Sequence, residues 1–206
     1  MKNIFLHGMG QNASSWDKTI SDLPKSAECD CPELSSFFTE GNCTYNTIYS
    51  AMRSYLNTLS EKINLCGLSL GAVLGLNYAL DYPGKIHSLV LIAPQFKMPG
   101  LLLKLQNVIF KFMPDSQFSE IGFTKNDFIT LTNSMQALNF TDRLNNLSVP
   151  TLILCGEKDK ANIKSAKKLA AALPDSTFTA IQNASHEVNT ENPSELALII
   201  KDFFSL

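Results

Sequence analysis

Ile63-Asn64-Leu65-Cys66-Gly67-Leu68-Ser69-Leu70-Gly71-Ala72-Val73-Leu74-Gly75 is the stretch that decides the fold. A short β-type run over Lys62–Cys66 predicts a strand, and an apolar, Gly- and Ala-containing pattern predicts a helix over 70–82. Between them lies Gly67-Leu68-Ser69-Leu70-Gly71. A strand-to-helix turn this sharp strains its central residue, and small residues two before and two after it let the backbone pass. The pattern therefore predicts Ser69 Oγ presented at the carboxyl edge of a sheet, with a helix N-terminus beside it to stabilise negative charge. The alternative is a serine in a Gly-rich helix start that merely packs closely on the sheet.

Working outward, short β-type runs alternate with helical patterns. Strands are expected at Asn3–Leu6, Ala27–Cys31, Lys62–Cys66, Ser88–Ile92, Thr151–Cys155 and Thr177–Ile181. Leu89-Val90-Leu91-Ile92 and Leu152-Ile153-Leu154 are apolar without interruption, the mark of strands covered on both faces, as parallel sheets are. Helices are expected at about 14–22, 44–60, 70–82, 161–173 and 193–204, with Thr44 and Ser194 as caps or first-turn residues. The alternation predicts an α/β domain with a doubly wound, mostly parallel sheet of about six strands, spanning residues 1–206. Residues 95–147 break the rhythm. They hold no convincing strand and read as a small helical cap insertion over the sheet's edge, with a helix from a Thr124 cap through Met135. Ordinary core helices are the alternative there.

Composition narrows the function classes. The chain has 206 residues, 45% hydrophobic and 17% charged, with a formal net charge of −2. That is too apolar and too balanced for a disordered chain, and it lacks the basic face of an electrostatic nucleic-acid binder. Lys164, Lys167 and Lys168 read as a solvated helix face. Cys29, Cys31, Cys43, Cys66 and Cys155 form no disulfide framework, and no metal-ligand spacing appears, so neither a metal nor a cofactor is expected. No apolar run reaches membrane-spanning length, and the first residues do not resemble a signal peptide. A cytoplasmic protein without nucleic-acid or membrane partners is the expectation.

A serine hydroxyl needs a base within reach. The chain has three histidines. His7 ends the first strand in a His-Gly turn. His87 opens the strand 88–92, at the sheet's amino end and away from Ser69. His186 follows the last strand, in a loop that returns to the carboxyl edge, and is the expected base. Asp159, in Gly156-Glu157-Lys158-Asp159 after the strand Thr151–Cys155, is the expected acid partner, with Glu157 as its competitor. The order Ser69, Asp159, His186 suits this type of site. Oxyanion donors, usually worth about 2.7–4 kcal/mol each, are expected from the amides of Leu70 and of Met9 in His7-Gly8-Met9-Gly10.

Leu6-His7-Gly8-Met9-Gly10 with Trp16 downstream, Asp30-Cys31-Pro32, Gly67–Gly71, Gly156–Asp159 and Ser185-His186 together resemble α/β-hydrolases of the capped, single-domain type. The resemblance covers nearly the whole chain. It departs from the family in Glu33-Leu34-Ser35-Ser36, where glycines are usual, and in the first strand starting at residue 3, where members commonly have two further strands before it. The resemblance implies six parallel strands in spatial order second, first, third, fourth, fifth, sixth. It leaves Ala27–Cys31 as an edge, either covered by 33–45 or paired with a second subunit, so that monomer and homodimer both stay open.

The expected activity is hydrolysis of carboxylic esters with small to medium apolar acyl groups through an acyl-enzyme, the partner being the small-molecule ester. Leu102, Leu105 and Ile109 of the insertion, with Trp16, are expected to line the acyl pocket. The resemblance also admits lactonases, carbon–carbon bond hydrolases and a proton-abstracting lyase of menaquinone synthesis with the same triad. Among the insertion's cations Lys97, Lys104, Lys111, Lys125 and Arg143, the lone arginine is the discriminator: aimed at the site, it would clamp a carboxylate and favour the lyase. A non-catalytic binding protein of the same fold is the remaining alternative.

Overall fold

The computed structural model of the chain describes residues 1–39, 41–100, 103, 107, 111–115, 118 and 123–206. Six strands form one parallel sheet: β1 (Asn3–Leu6), β2 (Cys29–Asp30), β3 (Ile63–Leu68), β4 (Ile86–Ile92), β5 (Thr151–Gly156) and β6 (Ser176–Ile181), in the order β2-β1-β3-β4-β5-β6. The expected order and strand count hold. β3 and β4 run longer than expected. β2 is shorter, a two-residue edge next to β1. Short edge strands offer little to foreign pairing. Tyr55 donates to Asp30 on this edge.

The helices are α1 (Asp17–Ser21), α2 (Tyr45–Asn57), α3 (Leu70–Asp81), α4 (Lys125–Met135), α5 (Ile163–Ala172), α6 (Val188–Glu191) and α7 (Pro193–Phe204). The pattern at 14–22 resolves into a 3₁₀ turn over Ala13–Trp16 followed by the short α1. Thr44 caps α2 by accepting from the Thr47 amide. Thr124 caps α4 in a reciprocal box with Asp127. Ser194 is a first-turn residue, and its hydroxyl donates to Asp22 at 2.7 Å.

β1, β3 and β5 are buried along their whole length, as are all residues of β4 except His87. This explains the continuous apolar runs: each central strand faces helices on both sides. α3 packs so closely that a Cβ on Gly71 would lie 2.2 Å from the Leu6 carbonyl oxygen of β1. Residues 95–147 lie between β4 and β5 and contribute α4, which packs against α2. Among the described residues no helix is long and apolar enough to cross a membrane.

Candidate active site

Five strand ends converge on one place. The residues after β1, β3, β4, β5 and β6 supply Met9, Ser69, Ala93 and Gln95, Asp159, and His186, all lining a single cavity of about 500 Å³. A parallel sheet puts every such loop on its carboxyl edge, which is where α/β proteins bind ligands.

Ser69 sits at the turn between β3 and α3 with φ 52° and ψ −109°. A non-glycine residue in this region costs on the order of 1–3 kcal/mol and persists only when its surroundings impose it. The imposition is visible. The Ser69 amide donates to the Ile92 carbonyl at 2.9 Å, prolonging the sheet ladder. A Cβ on Gly67 would lie 2.3 Å from the Gly71 carbonyl oxygen, so the chain crosses itself where only glycine fits. The turn leaves the Ser69 side chain partly exposed at the cavity.

His186 Nδ1 lies 2.7 Å from Asp159 Oδ2. A carboxylate only accepts, so the network assigns the proton to Nδ1 and leaves Nε2 free to accept. The Asn162 Nδ2, 3.1 Å from the same Nδ1, is then a close contact between two donors and not a hydrogen bond. Asp159 is itself 5% exposed. Burial pushes its pKa up, but hydrogen bonds from His186 and Asn162 outweigh burial and hold it below the ordinary 3.8. Burial, with Asp159 alongside, pushes the Cys155 thiol up to about 12. Ser69 and His186 share the cavity without a mutual hydrogen bond; such bonds commonly tighten only when substrate is bound.

The competitors are placed elsewhere. Glu157 accepts from the Asn183 amide on the surface. His87 is exposed at the amino end of β4. His7 is fully buried: its Nδ1 lies 2.9 Å from the Gly8 carbonyl and its Nε2 accepts from the Leu34 amide at 3.0 Å. It therefore ties the β1 turn to the segment after β2.

Met9 and Leu70 both line the cavity, and neither of their amides has a hydrogen-bond partner among the described residues. The loop bearing Met9 is held by a residue that no motif marks. Gln11 Oε1 accepts from the Gly8 amide at 3.2 Å, and its own amide exchanges hydrogen bonds with Asn189 on α6. No motif marks Asn162 or Gln95 either. Short-range pattern carries no signal for the Gln95–Asn162 contact, because it joins the ends of two different strands.

The expected pocket residues fare differently. Trp16 does not line the cavity: it is fully buried, its ring 5.1 Å from that of Phe5. The cause is local. Asn189 donates to the Ser15 carbonyl at 3.1 Å, pinning the 3₁₀ turn against α6 and leaving the indole in the core. Leu102, Leu105 and Ile109 lie outside the described residues. The described apolar lining is Met9, Leu70, Val73, Met98, Leu103 and Met135, with Ala93, Pro99 and Ala161. Arg143 is turned away, its Nη2 2.6 Å from Asp81 Oδ1. Lys125 pairs with Asp115 at 2.9 Å, Lys97 and Lys111 are exposed, and Lys104 lies outside the described residues. No lysine or arginine lines the cavity among the described residues. Nor do they hold a cluster of three metal-ligating side chains.

Three similarities bear on this arrangement. The putative 2-succinyl-6-hydroxy-2,4-cyclohexadiene-1-carboxylate synthase of Bacillus subtilis (strain 168) is 22% identical over 98% of this chain and 89% of its own length. Monoacylglycerol lipase ABHD6 of Mus musculus is 20% identical over 98% of this chain and 75% of its own. The enol-lactonase of Burkholderia xenovorans LB400 superposes with a TM-score of 0.85 at 17% identity, over 100% of this chain and 92% of that one. The family model described as "Alpha/beta hydrolase family" matches residues 4–197, and the chain belongs to that family.

Proposed function

We propose that the protein is a serine hydrolase of uncharged carboxylic esters with small to medium apolar acyl groups. The observation that carries this reading is the cavity wall. Ser69 and His186 meet there beside an apolar lining, with no cation among the described residues to receive a substrate carboxylate. A lyase or carbon–carbon hydrolase acting on carboxylate-bearing substrates would need such a cation, and Arg143 is engaged by Asp81. A lactonase remains the nearest alternative, since a lactone is a neutral cyclic ester.

In this reading Ser69 Oγ attacks the ester carbonyl carbon as His186 Nε2 takes the hydroxyl proton. Asp159 holds the ring through Nδ1 and stabilises the imidazolium. The amides of Met9 and Leu70 receive the oxyanion of the tetrahedral intermediate. Collapse breaks the bond to the alcohol, which leaves with the proton from His186. Water then attacks the acyl-serine, giving up a proton to His186; collapse breaks the bond to Ser69 Oγ, which takes that proton back as the carboxylic acid leaves. Segment 95–147 serves as the cap, supplying Met98, Leu103 and Met135 to the acyl side.

The test is a p-nitrophenyl ester series of rising acyl length, run with the wild type and Ser69→Ala. A burst of nitrophenol that disappears in Ser69→Ala supports acyl transfer. No turnover at any chain length sinks the general-esterase reading and leaves the lactonase.

A further inference from the structure

Asn162 immediately precedes α5 with a backbone already in the helical region, φ −109° and ψ −22°, and its side chain caps no helix amide. Instead its Nδ2 donates to both oxygens of Asp159, at 3.0 Å to Oδ1 and 2.9 Å to Oδ2. The Asn162 backbone amide adds a third donor to Oδ1 at 3.1 Å. Asp159 thus caps the turn that leads into α5, and the Asn162 side chain, three positions on, folds back onto the same carboxylate.

The orientation of that amide is forced from both ends. A carboxylate can only accept, so the NH₂ group of Asn162 faces Asp159 and its Oδ1 faces away. Oδ1 is met by Gln95 Nε2 at 2.7 Å. Gln95 comes from the end of β4, a different strand, and lines the cavity itself. A directed chain results: Gln95 donates to Asn162, Asn162 donates to Asp159, and Asp159 accepts from His186 at 2.7 Å. With Asn162 engaging both carboxylate oxygens, the carboxylate plane cannot swing, and Oδ2 stays aimed at Nδ1.

We propose that Asn162 is the positioning residue for the Asp159–His186 pair, with Gln95 locking its amide in the working orientation. The inference rests on the serine-hydrolase reading of Ser69, but not on the natural substrate being an ester.

The test uses the purified full chain and two readouts: steady-state hydrolysis of p-nitrophenyl butyrate, and the rate at which a fluorophosphonate labels Ser69. The second reports an activated serine whatever the natural substrate. Asn162→Ala is expected to slow both by about 10–100-fold, the usual effect of removing a partner that orients a reacting group, with KM within about twofold. Asn162→Asp keeps the shape but replaces the donor with a charge that repels Asp159, so it is expected to fall below Asn162→Ala. A packing role would give the reverse order and overturn the proposal.

Gln95→Glu presents an acceptor to Asn162 Oδ1 and should turn the amide, slowing labelling in the wild-type background but not in Asn162→Ala. Additive losses overturn the lock. Should Asn162→Ala fail to fold by circular dichroism, Gln95→Glu alone decides: unchanged labelling overturns the proposal, slower labelling supports it. Labelling of the wild type without ester turnover would defeat the esterase reading alone. No labelling of the wild type would defeat both.

Discussion

Gln11 and Asn189, 178 positions apart in the chain, exchange two side-chain hydrogen bonds, Nε2 to Oδ1 at 3.0 Å and Nδ2 to Oε1 at 3.2 Å. Both are buried, and Gln11 Oε1 also accepts from Gly8, beside the Met9 amide. The β1 turn is thereby braced against α6. Removing one partner strands the other inside the protein, which costs about 1–3 kcal/mol. Asn189→Ala is expected to lower the thermal midpoint and to reduce kcat more than it raises KM, because the Met9 amide loses its fixed direction. A full loss of stability with kcat untouched would show that the brace does not reach the site.

Asp159→Asn keeps the shape of the acid but removes its charge and turns the His186 tautomer. The expected loss of kcat is on the order of 10³–10⁴-fold, measured on p-nitrophenyl butyrate, with the fold preserved by circular dichroism. Losses under tenfold would argue against Asp159 as the acid.

The depressed pKa of Asp159 also sets an acid limit. Because its folded value lies below 3.8, its ionised form stabilises the fold fully above that value, and the contribution disappears as the pH falls through the folded pKa. His7 acts in the range above. Burial holds its pKa below 6.5 against the opposing pull of the Gly8 carbonyl and Glu33. The unfolded chain therefore takes up that proton first, and stability falls as the pH drops below about 6.5. Thermal melts from pH 7 downward should show this decline, and His7→Gln should lack that component. Identical pH slopes for the two proteins would contradict it.

Gly156 ends β5 where the His186 loop passes over it. A Cβ there would lie 1.9 Å from the Ser185 carbonyl oxygen and 2.5 Å from that of Ala184. Backbone cannot yield as a flexible side chain does, so Gly156→Ala should displace the loop and part His186 from Asp159. The expected result is a folded protein with kcat reduced by at least about tenfold, since small misplacements at a reacting site are costly. Near-wild-type turnover would mean the loop relaxes without moving the ring.

Met135 is buried on α4 and forms part of the cavity wall. Met135→Trp fills the space with a larger, stiffer side chain. The chain-length optimum on the p-nitrophenyl series should shift to shorter acyl groups, with acetate turnover retained. An unchanged profile would place the acyl group on another wall.

The sequence by itself determined the order of the strands and of every helix but the short α6, the sharp turn at Ser69 and the loops that bear Asp159 and His186. These rest on local chemistry: apolar runs buried on both faces, glycines at Gly67 and Gly71 where no Cβ fits, and a parallel topology that gathers loops at one edge. Only the tertiary structure decided the amide pairs Gln11–Asn189 and Gln95–Asn162, the burial of Trp16 and the capture of Arg143 by Asp81. A polar side chain's partner is fixed by which loops meet at a distance of about 3 Å. That meeting depends on strand register and helix packing across the whole domain, and no pattern within a few residues of Gln11, Asn162 or Arg143 encodes it.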